Sequence, residues 1–211
     1  HRRTRASVAR EQGLEPLAEI IMAQRESNPE KAALRFVKDS VTDVAEAIKG
    51  AQDIIAENIN ESEGSRKTIR QVFRRDATIA SRVISKMKDE DGAQKYSDYF
   101  FFSEELRHCS SHRLLAMRRG ESEGILRINI TVDDDECIDR LKRHYVHGYG
   151  PCQTLVSEAV EDSYRRLLRP SIENEFAASS KELADDEAIN VFGENLRQLL
   201  LAPPLGQKRV M

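Results

Sequence analysis

The sequence predicts a mainly α fold: a multi-helix assembly with a long C-terminal helix and one short strand or hairpin near residues 124–132. Three observations lead there. Charged residues make up 33% of the 211-residue chain and aromatics only 6%, with no tryptophan, where about 25% charged is usual in soluble domains. Glycine (10) and proline (6) are too few for a turn-rich all-β protein. Apolar residues recur at three- and four-residue spacing over most of the length, and strict alternation stands out once. The length allows one large or two small domains and a sizeable core.

The elements follow in order. His1–Arg10 carries Arg2, Arg3, Arg5 and Arg10 without an acid and reads as a basic arm leading into a helix. Gly13 breaks that helix. Pro16 sits in the first turn of the next, whose stripe is Leu17, Ile20, Ile21 and Met22. Ser27-Asn28-Pro29-Glu30 is a helix start, with Ala33, Leu34, Phe36 and Val37 as the expected buried side. Ser40–Asp43 opens a longer helix to about Asn60, with Val44, Ala47, Ile48, Ala51, Ile54, Ile55 and Ile59 on one face. Gly50 in its middle forfeits up to about 1 kcal/mol against alanine, which a close helix–helix approach explains. Beyond a polar break at Glu61–Gly64, helices are predicted at Arg66–Phe73 and Thr78–Met87.

Asp89–Gly92 is a charged loop, and Tyr96, Tyr99, Phe100, Phe101 and Phe102 form an aromatic cluster. Ser103 with Glu104 and Glu105 reads as a helix start. Ser110 or Ser111 caps another helix over His112–Arg119, which Gly120 is expected to stop. Gly124–Val132 alternates Ile and Leu with Arg, Asn and Thr and is the one convincing strand, without an evident partner. Asp133 with Glu136 resembles a capping box for a helix over Asp134–Tyr145. A loop at His147–Pro151 precedes a helix over Leu155–Leu168. Pro170 is expected to end that helix and open the last one. Its stripe runs from Ile172 and Phe176 through Leu183, Val191, Phe192 and Leu196 to Leu200, roughly 45 Å long. Pro203-Pro204 closes it.

A net charge of −3, from 33 basic and 36 acidic residues, excludes a strongly polybasic or polyacidic protein. No apolar run nears the 18 or so residues of a membrane span, and none follows the basic N-terminus as in a signal peptide. No membrane partner is expected. Cys109, Cys137 and Cys152 are odd in number and widely spaced, which suits a reducing compartment. His108 and His112 stand four apart, but Ser110-Ser111 interrupts the helix and no carboxylate completes a zinc motif. Asp133–Glu136 lacks the spacing of a calcium loop. Gly148-Tyr149-Gly150-Pro151 fits a nucleotide-binding loop badly, and Ser111-His112 lacks an orienting acid. No cofactor or metal is expected, and the chain is not expected to be an enzyme.

The basic sites are the better candidates. Arg2, Arg3 and Arg5, and His112-Arg113 with Arg118 and Arg119, can contact phosphates through charge and hydrogen bonds. The arm reads equally as a solvated terminus, and Arg113 as half of an ion pair. Tyr96–Phe102 suits base stacking, although a place in the core is the simpler reading.

Many of these segments resemble one family, in order. They are Arg2-Arg3-Thr4-Arg5-Ala6, Gly13–Ala18 and Gly50–Glu57, then Tyr99-Phe100 with Ser103-Glu104, Ser111-His112-Arg113 and Arg119-Gly120-Glu121. Pro170–Glu173, Val191-Phe192, Asn195-Leu196, Leu199–Leu201 and Pro203-Pro204 complete the set. Together they resemble the Tex family of bacterial transcription accessory proteins, over nearly the whole chain. The resemblance implies a central helical region over residues 1–202. It implies, over 203–211, a linker leading into an RNase H-like YqgF domain that this sequence does not contain. Helix-hairpin-helix segments and a C-terminal S1 RNA-binding domain would follow, as would similarity to the eukaryotic elongation factor Spt6 and a cytoplasmic setting. His1 is not a methionine, which suits a fragment, a processed product or a tagged chain, and the resemblance implies that both ends fall inside that longer architecture. The expected function is a non-catalytic scaffold organising the YqgF, helix-hairpin-helix and S1 domains. RNA or DNA would bind through the full-length protein, with the transcription machinery as a further partner. The alternative is a nucleic-acid-binding module in its own right, through the arginine sites.

Overall fold

In the computed structural model residues 2–182 are described. Their elements are α1 (Arg5–Glu11), α2 (Glu15–Ala23), α3 (Pro29–Ala33), α4 (Val44–Glu61), α5 (Glu63–Asp76), β1 (Thr78–Val83), β2 (Phe101–Glu105), α6 (Ser111–Ser122), β3 (Leu126–Thr131), α7 (Asp134–Tyr145) and α8 (Pro151–Asp162). The fold is mainly helical, as predicted. It divides into two units, one from residues 2–76 and 132–174, the other from 77–131 and 175–182.

In the first unit the helix starts follow local side-chain chemistry. Thr4 and Ser7 form a capping box ahead of α1. Asn28, Asp43 and Asp133 each accept a hydrogen bond from a first-turn amide of α3, α4 and α7, satisfying donors that would otherwise be orphaned. The break between α4 and α5 shrinks to Ser62. Leu34, expected inward, is 61% exposed, because α3 stops after five residues and the chain tightens into a 3-10 turn at Leu34–Phe36.

The central element is α4, nine of whose 18 residues are buried. Helices α1, α2, α3 and α8 all pack on it. At Gly50 the packing on α4 is close, as predicted. A Cβ there would collide with the Leu14 Cδ1 methyl and stand 3.4 Å from Ala9 Cβ.

Pro170 does not end a helix. Residues 151–182 are helical throughout, so the long C-terminal helix begins at Pro151. A proline inside a helix lacks an N–H, and its ring clashes with the carbonyl four residues back. Here the six residues Ser163–Leu168 are π-helical, and the Arg169 amide donates to Tyr164 O, five residues back. The wider turn relieves the clash and lets the helix continue. The predicted stripe from Leu183 to Leu200 and the segment 203–211 lie outside the described residues.

The second unit holds a three-stranded antiparallel sheet in the order β2-β1-β3. Two of its strands differ from the predicted helices. Thr78–Val83 is the middle strand, and Phe101–Glu105 carries the Ser103-Glu104-Glu105 segment read as a helix start. Ile79, Val83 and Ile84 fit a helical stripe by spacing alone. The inward positions are nevertheless every second residue, and one of them is Ser81, whose hydroxyl donates to Tyr99 O at 2.7 Å. A polar residue at a buried position hid the alternation. β1 is thus the missing partner of the strand predicted near 124–132.

Ser110 caps α6, which runs through Gly120 to Ser122. Gly120 is there for close packing rather than as a stop. The turn after the helix is made by Gly124, at φ +76°. Ala93, Tyr96, Phe100, Ile125 and Leu126 form the core beside the sheet, with Val83, Tyr99 and Ile128 packed on it.

Candidate nucleic-acid interface

The predicted arginines belong to two sets. Arg2, Arg3 and Arg5 are exposed on the first unit. Arg2 and Arg5 line an open cleft of about 510 Å³ together with Arg166, but Asp53, Glu57 and Glu61 line it too. The cleft carries mixed charge. Nearby, Arg10 donates to Glu57 Oε1 at 2.8 Å and to Asn58 Oδ1 at 2.9 Å, tying α1 to α4.

Arg113, Arg118 and Arg119 lie on α6 in the second unit. Arg113 is the ion pair that one reading expected. Its Nε and Nη2 donate to the two Glu104 carboxylate oxygens at 2.9 and 3.0 Å, a bidentate arrangement. Arg118 has a side chain only 9% exposed. It donates to Glu121 at 2.8 Å and to Ser180 Oγ at 2.6 Å, so it joins α6 to the helix at 175–182. Arg119 is exposed.

The Arg113 guanidinium holds the Glu104 carboxyl below its usual range. The folded state therefore keeps this group ionised at pH values where the unfolded chain takes up a proton. The stabilisation is complete above the ordinary value of 4.5 and is lost as pH falls through the depressed folded value. Glu104→Gln is expected to lower stability by about 0.5–1 kcal/mol at neutral pH, a partly exposed pair being worth little more. In a melting series from neutral to acid pH, the gap to the parent closes below pH 4.5. A gap that stays constant would show that the ionised pair contributes nothing.

Burial, then the Glu104 carboxylate, push the Cys109 thiol up to about 12. Burial pushes Cys137 up to about 11 and raises Cys152 as well. None of the three is a ready nucleophile at neutral pH. Among the described residues no group of three His, Cys, Asp or Glu side chains converges as a metal site.

Within the aromatic cluster the structure separates two roles. Tyr96 and Phe100 are core, whereas Phe101 is 77% exposed. Phe101 stands on β2 opposite Arg82 of β1, which stands opposite Arg127 of β3. Ser103, Ala80 and Asn129 make the next cross-strand row on that face. Arg82 and Arg127 were not singled out from the sequence. Their alignment depends on strand register, which becomes legible only once β1 is known to be a strand.

No helix among the described residues is long and apolar enough to cross a membrane. Residues 24–192 match a protein family described as Tex central region-like. The chain is 37% identical, over its whole length, to the uncharacterized protein YdcI of Bacillus subtilis. It is 32% identical over 98% of its length to the transcriptional accessory protein Tex of Neisseria gonorrhoeae. It is 29% identical over 99% of its length to S1 RNA-binding domain-containing protein 1 of Homo sapiens. The chain spans 30%, 28% and 22% of the lengths of these three relatives.

Proposed function

The chain belongs to the Tex family, and on that premise we propose that it is a non-catalytic helical scaffold of a Tex-like transcription accessory protein. Residues 1–202 form the central helical region in this reading, and 203–211 lead into the next domain. The scaffold would hold the remaining domains of the same chain, including YqgF, helix-hairpin-helix and S1 domains, in a cytoplasmic protein that meets RNA or DNA and the transcription machinery. The observation that carries the reading is the way α4 is locked from several sides. Besides the Arg10 contacts, Ser163 Oγ donates to Ala56 O at 2.6 Å and Gln52 Nε2 donates to Leu155 O at 3.1 Å. Such links between residues far apart in sequence make a stiff body, which is what positions neighbouring domains. The names of the relatives support the transcription and RNA context.

Nucleic-acid affinity measured on this chain and on the full-length protein tests the idea. The chain alone is expected to bind single-stranded oligonucleotides about 100-fold more weakly, since linked domains gain by avidity. Equal affinity would contradict a scaffold role.

A second reading, a nucleic-acid-binding module in its own right, is favoured by the exposure of Arg2, Arg3, Arg5 and Arg119. In that case, alanine at Arg2, Arg3 and Arg5 lowers both the affinity and its salt dependence, the slope falling by about 0.7 for each phosphate that is no longer neutralised.

A further inference from the structure

The row Phe101–Arg82–Arg127 lies on a sheet face that presents exposed residues on all three strands. We propose that this face binds single-stranded nucleic acid, with a base stacked on Phe101 and phosphates held by Arg82 and Arg127. The proposal rests on the second reading above for the premise that this chain touches nucleic acid, and it names a different surface.

Among the described residues the large exposed apolar side chains are Leu34, Phe101 and Tyr149. Leu34 and Tyr149 sit in turns between longer elements. Phe101 alone projects from a strand, whose other edge is hydrogen-bonded to β1. The ring is therefore presented by rigid backbone. Directly opposite it stands Arg82, but its other neighbours on the face are small: Ser103 is two residues along the strand and Ala80 lies diagonally across. A flat base can approach the ring from the side of Ser103 and Ala80.

The two arginines supply charge at the right range. Adjacent strands are about 4.8 Å apart, so Arg127 stands about 10 Å from Phe101 across the sheet. Arg82 lies between them. Its Nη1 donates to Ser81 O at 2.8 Å and to Phe102 O at 3.0 Å. That fixes the guanidinium against the sheet and leaves the Nε and Nη2 hydrogens for a phosphate. Arg127 makes no ion pair among the described residues. The carboxylate on this face, Glu105, is engaged by Arg107 at 3.2 Å and His108 at 3.1 Å.

Two alternative partners fit less well. A duplex hides its base faces, so a stacking ring selects unpaired bases. A protein segment would find one apolar ring flanked by two cations and polar rows, whereas the centres of protein interfaces are depleted of charge.

The test is fluorescence anisotropy with labelled oligo-U and oligo-dT dodecamers and a blunt duplex of the same length, at low and physiological salt. The parent chain is expected to bind the single strands at low salt with a Kd of about 1–100 μM. Phe101→Ala weakens this by about 5- to 100-fold, and Phe101→Tyr retains it. Arg127→Ala weakens it and lowers the salt slope by about 0.7. Circular dichroism and melting confirm that each variant is folded, which the exposure of both side chains favours. Parent binding that survives both Phe101→Ala and Arg127→Ala overturns this surface and leaves the second reading standing. No binding by the parent overturns both. Duplex bound as tightly as single strand overturns the stacking step.

Discussion

Replacing Tyr164 with alanine is expected to lower the stability of the chain by about 4 kcal/mol, in the range for a large buried aromatic. Tyr164 is 0% exposed, and it is the largest of the fully buried side chains. Its hydroxyl donates to Asp134 Oδ1 at 2.6 Å, while Arg169 Nη1 donates to Asp134 Oδ2 at 2.9 Å. Burial first, and the Asp134 carboxylate next, push the phenol far above its usual range. The phenol is thus protonated at neutral pH and remains a donor. Tyr164→Phe separates the two contributions. It keeps the ring and leaves Asp134 short of one charge-assisted bond, at a cost of about 1.5–3 kcal/mol. Urea unfolding of the three proteins measures both steps. A neutral Tyr164→Phe would show that the bond to Asp134 is replaced by water without loss.

Gly120→Val is the second large effect, a loss of about 3 kcal/mol, with Gly120→Ala at about 2 kcal/mol. Alanine would ordinarily gain up to about 1 kcal/mol of helix propensity at such a position. Here its Cβ would lie 2.5 Å from Leu126 Cδ1, 2.8 Å from Leu126 Cγ and 3.2 Å from Tyr96 Cδ1. Two of these atoms are not free ends. Moving the Leu126 branch point or the Tyr96 ring disturbs the core beside the sheet. Gly50 is the control. Its obstacle under 3 Å is the terminal Leu14 Cδ1 methyl, so Gly50→Ala is expected to cost less than Gly120→Ala. Leu126→Ala should relieve part of the Gly120→Ala penalty, giving a coupling of about 0.5–3 kcal/mol in a double-mutant cycle. A Gly120→Ala variant that melts above the parent would refute the packing argument.

Elements whose signals are local were legible in the sequence. Asn28, Asp43, Ser110 and Asp133 announce helix starts because a cap acts within three residues of itself. The stripe of α4 was legible because its apolar residues outnumber its exceptions, and Gly50 because a glycine there has no local reason. The sheet was legible only in its β3 strand. β1 needed Ser81 to be recognised as an inward residue, and its satisfaction by Tyr99 O is a contact across 18 residues. β2 has acids at two of its five positions, which argued for a helix start. The same limit applies to the candidate sites. Arg113 was readable as a possible partner in an ion pair, but its partner Glu104 was assigned to the wrong kind of element. Arg118 reaches Ser180 over 62 residues. Phe101 and its two arginines meet only through strand register, which no single segment encodes.

The π-helical stretch before Pro170 has a consequence for chain length. A wide turn accommodates an extra residue within a helix. Deleting one residue from Ser163–Leu168 would close the wide turn to ordinary helical winding and leave the following side chains near their present faces, but it would drive the Pro170 ring against the carbonyl four residues back. The same deletion between Pro151 and Asp162, where the winding is already ordinary, would swing every following side chain by about 100°. Arg169 would leave Asp134, Ser171 would leave the Arg66 guanidinium that donates to it at 3.1 Å, and Ile172 would turn out of the core. A surface loop such as Asp89–Gly92 can gain or lose a residue with local effect. Before Pro170 the extra residue is itself part of the structure.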